Sequence, residues 1–424
     1  MATARHLTAV SVRSRLALVA GAIALAIVAA VLRHVGWHRG VEPTDAMTIA
    51  PAIGMPGAPS SSAEGLDQRI AAMEQLLRER PHDVEAAVLL ADALLRQGRA
   101  TGDGRPAARA AEALKAALEE NPGAYDALRM LGAIYLSQHR FRDGLDVARR
   151  ARDLRPRDAW NYGVMADALI ELGEYEQAFE AIDTMAGMRP NAGAYARVSY
   201  ARELSGDLDG ALEAMQMAAT ATTARDPEAQ AWYASQLGEL YLRTGRFDDA
   251  DREFRRAAFV FPDYVLSMVG IGKVKAARGD RTGARDIYLE QLKRSPTLDL
   301  AARIGDLYAQ EGDAAQAEHY YRLAEHLAGP AIAQTEPTLA AFLAEHDRKL
   351  PEAVDVARTV AALRHDIFTD DALAWAYFKT GRMKDAVAAS QRSLRTGTRD
   401  GQILRHAYEI RRAAGFDGSY SAPR

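Results

Sequence analysis

Cysteine is absent from all 424 residues. That excludes zinc clusters with thiolate ligands, disulfide frameworks, cysteine nucleophiles and a lipid anchor carried on cysteine. Net charge is nearly absent too, at −4 with a pI of about 6.2. A nucleic-acid binder shows a basic stripe, and the arginines at 149, 150, 152 and 155 read as a solvated helix face. Alternating apolar and polar residues, the mark of half-buried strands, are also missing. So are the glycine-lysine phosphate loop, the G-x-S-x-G elbow and the H-E-x-x-H metal pair. His319 and His326 lie two turns apart on one helix, too few ligands for a metal site. Gly270-Ile271-Gly272-Lys273 hints at a phosphate loop but follows no strand, and reads better as glycines packing a helix. Asp248, Asp249 and Asp251 fall at a helix start, where carboxylates favour the dipole. No catalytic, cofactor or metal residue is therefore assigned.

What the sequence does have is a period. Pro122, Pro156 and Pro190 stand 34 residues apart, and Pro262 and Pro296 repeat the interval. Inside each unit the plan recurs. One unit carries Gly238, Tyr241, Gly245, Ala250, Phe254, Ala257 and Pro262. The next carries Gly272, Gly279, Ala284, Tyr288 and Pro296. A short amphipathic helix ends at a glycine turn, and a second helix stops before a proline that cannot continue it. Small residues let the two helices approach, and aromatic residues fill the gap between pairs. One pair cannot bury its apolar face alone, so pairs stack.

The pattern resembles the tetratricopeptide repeat family. The resemblance implies an all-α, right-handed solenoid of about nine helix hairpins over 82–400. The eighth unit is degenerate: Ala341, Ala353 and Ala357 fit, but Arg348 stands where glycine is expected. A lone helix over 64–81 is expected to cap one end, and residues 401–424 to form a capping helix and tail. In this family the first helix of each pair lines the concave face. The positions that point into it are held here by Arg129, Trp160, Asp167, Tyr200, Trp232, Glu239, Lys273, Asp306, Trp375 and Phe378. The aromatic members suit a protein or peptide partner, because tryptophan and tyrosine dominate interface hot spots. They equally suit rings that cover gaps between adjacent helices.

The N-terminal region differs. Leu16–Leu32 is an unbroken apolar run, roughly 26 Å long as a helix. Arg15 and Arg33 flank it, and Trp37 follows. The expectation is a signal anchor over 16–37, with residues 1–15 cytoplasmic and a cleaved signal peptide as the rival reading. A linker over 38–63 carries Pro43, Pro51, Pro56 and Pro59. This places the repeats outside the cytoplasm, in the periplasm of a bacterium, tethered to the inner membrane. The expected role is a non-catalytic scaffold for an envelope protein complex, with no cofactor and no nucleic acid. Leu66–Arg99 (Leu66, Met73, Leu77, Pro81, Ala91, Leu94, Gly98) is also similar to the repeat part of cytochrome c maturation factors, which bind an apocytochrome tail. A non-catalytic subunit of a polysaccharide export or glycosyl transfer complex is a further alternative.

Overall fold

A computed structural model describes residues 63–103 and 107–415, apart from the side chains of 63 and 330–333. The anchor expected over 16–37 and the linker expected over 38–63, apart from Ala63, lie outside these residues. Among the described residues there are twenty α-helices and no strand, and no helix is long and apolar enough to cross a membrane.

Helix α1 (Ala63–Glu79) stands alone. Nine helix pairs follow: α2 (Val84–Thr101) with α3 (Ala107–Glu120), α4 (Tyr125–Ser137) with α5 (Phe141–Leu154), and α6 (Ala159–Glu171) with α7 (Tyr175–Met188). Then come α8 (Ala192–Leu204) with α9 (Leu208–Ala221), α10 (Pro227–Arg243) with α11 (Phe247–Val260), and α12 (Val265–Ala277) with α13 (Arg281–Arg294). The last three are α14 (Leu298–Gln310) with α15 (Ala314–Thr335), α16 (Thr338–Glu345) with α17 (Leu350–Ala361), and α18 (Ile367–Lys379) with α19 (Met383–Ser393). Helix α20 (Gly401–Ala413) closes the series.

The ends of these helices follow local chemistry. Asp83, Asn191 and Asp226 each accept a bond from a backbone N–H in the first turn of the helix they precede, which satisfies donors that the helix itself leaves unpaired. Gly245, Gly279, Gly312 and Gly381 take φ between +73° and +84° at the turn inside their pairs, a conformation that costs a side-chain-bearing residue energy. Two pairs do without glycine at this position: His139 has φ +58° and Asp347 has φ +52°. The eighth pair corrects the sequence register. The left-handed turn residue is Asp347, not Arg348, because the turn carries one extra residue and Lys349 is also left-handed, at φ +39°. The small residue of its first helix is consequently the fully buried Ala340 rather than Ala341. Arg348 instead reaches back to Glu318 and Glu325, at 2.6 and 2.5 Å.

Packing within the stack turns on aromatic rings set against glycine. Phe254, fully buried on α11, lies between Gly238 of α10 and Gly270 of α12. A Cβ at Gly238 would stand 2.8 Å from the ring, and one at Gly270 would fall inside its van der Waals envelope. Tyr288 occupies the same place against Gly272. The Gly270–Lys273 stretch is thus a helix interior packed for close approach.

First helices of adjacent pairs also touch one another, as α2 with α4, α10 with α12 and α16 with α18. They therefore take the inner side of the curve. The curve is tight enough for the chain to meet itself. The hydroxyl of Tyr175 accepts the N–H of Ile367, 192 residues on, and Arg364 pairs with Glu171, 193 residues back. One superhelical turn thus holds between five and six pairs. Turns inside the early pairs lie on connections between the later ones. A Cβ on Gly173 would run into the carbonyl of His365, one on Gly206 into that of Gly397, and one on Gly102 would stand 3.2 Å from Ser295 Oγ. The equivalent Gly245, Gly279, Gly312 and Gly381 face open space among the described residues.

At the first crossing Glu228 is 1% exposed. It accepts two bonds from Arg99, at 2.8 and 2.6 Å, and one from the Tyr264 hydroxyl at 3.0 Å. Arg96 bridges Asp92 and Asp226 beside it, at 2.9 and 2.6 Å.

Two outcomes test this packing. Gly270→Ala should destabilise the protein by about 1–3 kcal/mol, the cost of overpacking a filled site, and Gly270→Ala with Phe254→Leu should recover part of the loss in urea unfolding. Glu228→Ala, which removes both bonds to the Arg99 guanidinium, should cost about 3–5 kcal/mol and lower the thermal midpoint, whereas Glu119→Ala at an exposed position should leave it nearly unchanged.

Candidate partner-binding groove

The inner surface is built by the first helices, so it repeats as they do. Residues spaced by one repeat face each other across neighbouring helices, and many of them pair. Asp167 on α6 receives both Nε and Nη2 of Arg197 on α8, at 2.9 and 2.5 Å. Arg197 also donates to the Gly163 carbonyl, 34 residues back, at 3.2 Å. Glu239 on α10 and Lys273 on α12 meet at 2.7 Å, again 34 residues apart. Asp306 on α14 accepts His346 Nε2 at 2.8 Å and the Tyr321 hydroxyl at 2.9 Å. The charges at these positions therefore hold consecutive pairs in register.

The aromatic residues divide. Trp160 is partly exposed, with the Arg129 guanidinium 5.2 Å from its ring. Trp160 Nε1 and Arg129 Nε have no hydrogen-bond partner. Trp232 is partly exposed and meets Tyr233 edge-on at 4.9 Å. Tyr200 is partly exposed between them along the chain. Trp375 lies elsewhere. It is 6% exposed, covered by α20, with the His406 ring stacked on it at 4.0 Å and Phe378 at 5.0 Å on the same side chain. It belongs to the core beneath the terminal helix and not to an open surface.

Coiling adds residues that the repeat pattern alone does not mark. Arg99, Arg197 and Arg303, all on first helices, stand in densely packed surroundings, as does Tyr200, which the repeat does mark. Yet Arg99 keeps 39% of its side-chain exposure, Arg303 36% and Arg197 21%. The interior is therefore wet. Burial pushes the Tyr200 and Tyr233 hydroxyls up and keeps them protonated as donors. Burial opposes the charge of Arg303, but Asp299 at 2.7 Å outweighs it and the pKa is raised. The only sequence signal for Arg197 and Tyr233 is their place on first helices; their enclosure comes from the coil.

Among the described residues, no group of three or more histidines and carboxylates converges on a metal position. His319 packs edge-on to Tyr320 at 5.0 Å.

The terminal helix carries its own electrostatic lock. His406, 1% exposed, contacts Asp371 Oδ2 at 2.8 Å and Glu345 Oε2 at 3.2 Å. Arg405 reaches Glu345 at 2.8 Å, and Lys379 lies 5.4 Å from the Trp375 ring. Burial pushes the His406 imidazole down, but the bonds to Asp371 and Glu345 outweigh it and its pKa is raised. The bond from His406, against the opposing effect of burial, holds Glu345 down at about 2. Burial pushes Asp371 up and outweighs the bond from His406, which pulls it down. A raised histidine stabilises the fold fully below its ordinary value near 6.5. That contribution disappears as the pH rises through the folded value. A lowered glutamate contributes above about 4.5 and is lost as the pH falls toward 2. Docking of α20 should thus be firmest between about pH 4.5 and 6.5. Hydrogen exchange over 401–413 should quicken, relative to intrinsic rates, from pH 6 to 8.5, and His406→Asn should flatten that dependence.

Tetratricopeptide repeat models match residues 66–109, 102–159 and 235–299, and a second such model matches 298–328. No curated protein matches the sequence. Among solved structures, the human IFIT1 dimer with PPP-AAAA is similar at 15% identity and a TM-score of 0.51, over 78% of each chain. The same protein with m7Gppp-AAAA matches at 15% identity and 0.51, over 78% of this chain and 77% of that one. A chain of the APC/C hetero-tetramer Cut9-Hcn1 matches at 14% identity and 0.48, over 81% of this chain but only 59% of its own length. At such identities the IFIT1 likeness shows the fold alone. The repeat models, the 34-residue period and the stacked helix pairs agree, and the chain belongs to the tetratricopeptide repeat family.

Proposed function

We propose that this protein is a scaffold that holds a protein or peptide partner within its concave groove and supports assembly of an envelope complex. The observation that carries this reading is the wet inner surface, where Trp160, Tyr200, Trp232 and Tyr233 stay partly exposed on consecutive first helices. Aromatic side chains there offer large contact area at low entropic cost. The neighbouring arginines are engaged: Arg197 with Asp167, Arg99 with Glu228 and Arg303 with Asp299. A groove whose cations already hold carboxylates suits polypeptide better than a polyanion. The apolar run over 16–32 supports tethering to a bacterial inner membrane, with the repeats on its outer side. Tetratricopeptide repeats are generally non-catalytic, and the paired carboxylates here serve register, which favours a scaffold over an enzyme.

A photo-crosslinking amino acid tests this in native membranes. Placed at Tyr200 it should capture a defined partner, and Trp160→Ala with Trp232→Ala should abolish the product. Placed at Phe259, 87% exposed on the outer helix α11, it should not. Capture at Phe259 that survives the tryptophan changes, with none at Tyr200, would reverse the assignment of faces. Extraction of the chain by alkaline carbonate would refute the membrane tether.

A further inference from the structure

The line where one superhelical turn meets the next differs from the packing along the stack. Along the stack, apolar residues run continuously from pair to pair. The seam has an apolar end, where Leu66 and Ala100 meet Phe261 and Tyr264, and a polar end, where the apolar contribution is small and centres on Ile367, set against α6–α7. Around it the contacts are polar. Arg364 binds Glu171, the Arg395 guanidinium lies 5.0 Å from the centre of the Tyr175 ring, and His139 meets Glu336 at 3.1 Å.

The seam is also incompletely filled. A cavity of about 240 Å³ lies in it, bounded by Leu204 and Arg243 from the first turn and by Phe368, Thr398 and Arg399 from the second. Elsewhere two buried polar atoms, His139 Nδ1 and Thr396 Oγ1, find no hydrogen-bond partner. Charged groups that lose water on closing regain it on opening, so such an interface gives back much of what it gains. Interfaces of this polar kind between units of one chain are ordinarily mobile. The turn glycines allow it to shut: at Gly173 and Gly206 the opposing carbonyl occupies the space a Cβ would need.

We propose that this polar end of the seam is a reversible latch, at which the two superhelical turns part while every helix pair stays folded. Parting opens the groove from the side. A partner then need not thread in from one end, a consequence that rests on the groove-binding reading above.

The full chain has no cysteine, so Ser205→Cys and Arg399→Cys can carry spin labels without background. Both positions are exposed and flank the Gly206–Gly397 contact. Pulsed dipolar spectroscopy should show a short distance and a minor long one. Tyr175→Phe with Arg364→Met should raise the long population about tenfold, the effect of losing a charge-assisted hydrogen bond, at unchanged helical circular dichroism. If that variant fails to fold, His139→Ala, which removes one peripheral contact, should raise it more modestly. A distribution that stays short in the folded variants, or that lengthens only as helical signal is lost, would overturn the latch. No partner is present in this experiment, so its failure would leave the groove assignment standing.

Discussion

Close approach of the helices, tightest where the rings of Phe254, Tyr288 and Tyr321 rest on glycines of first helices, sets the spacing on which the rest of this molecule depends. Phe254 between Gly238 and Gly270 shows the constraint at its tightest, since neither glycine has room for a methyl group. Close approach of the first helices shortens the inner side of the stack relative to the outer side. Repeated over nine pairs, that small difference becomes curvature, and the curvature closes a turn in fewer than six pairs. The seam, the enclosed wet interior and the altered use of the turn glycines all follow from it.

Electrostatics in this chain serves position more than charge. Carboxylates cap helices at Asp83, Asp226 and Asp400. They also tie consecutive first helices together through Asp167–Arg197 and Glu239–Lys273, and they lock turn to turn through Glu228 and Glu171. Buried pairs of this kind add little net stability, because desolvation offsets the attraction, but a mispaired register leaves a charge stranded. The arrangement therefore selects one way of coiling among several that the apolar packing alone would tolerate. It also explains how a chain rich in arginine presents an inner surface without a free cationic cluster at these positions.

The helical repeats were legible because their cause is local. A glycine turn, a proline stop and a 34-residue recurrence act within one or two helices, and helix bounds follow them closely. The eighth pair escaped because its extra turn residue shifts the register without changing composition: Asp347 takes the left-handed place that the spacing assigned to Arg348. Among the inner-face residues, Asp167, Glu239 and Lys273 fall where the repeat places them, but their pairing across helices was not visible, since it joins residues from different repeats. Trp375 shares its repeat position with Asp167 and Tyr200, yet α20 covers it. No repeat-based argument sees a terminal cap settle over a particular ring.

The amino-acid order by itself determined the helix pairs, their stacking and which helix of each pair faces inward, because those depend on contacts between near neighbours along the chain. The tertiary structure alone decided that the coil meets itself. Tyr175 with Ile367 and Arg99 with Glu228 join residues 192 and 129 apart, and whether they meet depends on small angles accumulated over many repeats. No single repeat encodes that sum, so the closed interior became visible only with the whole chain in place.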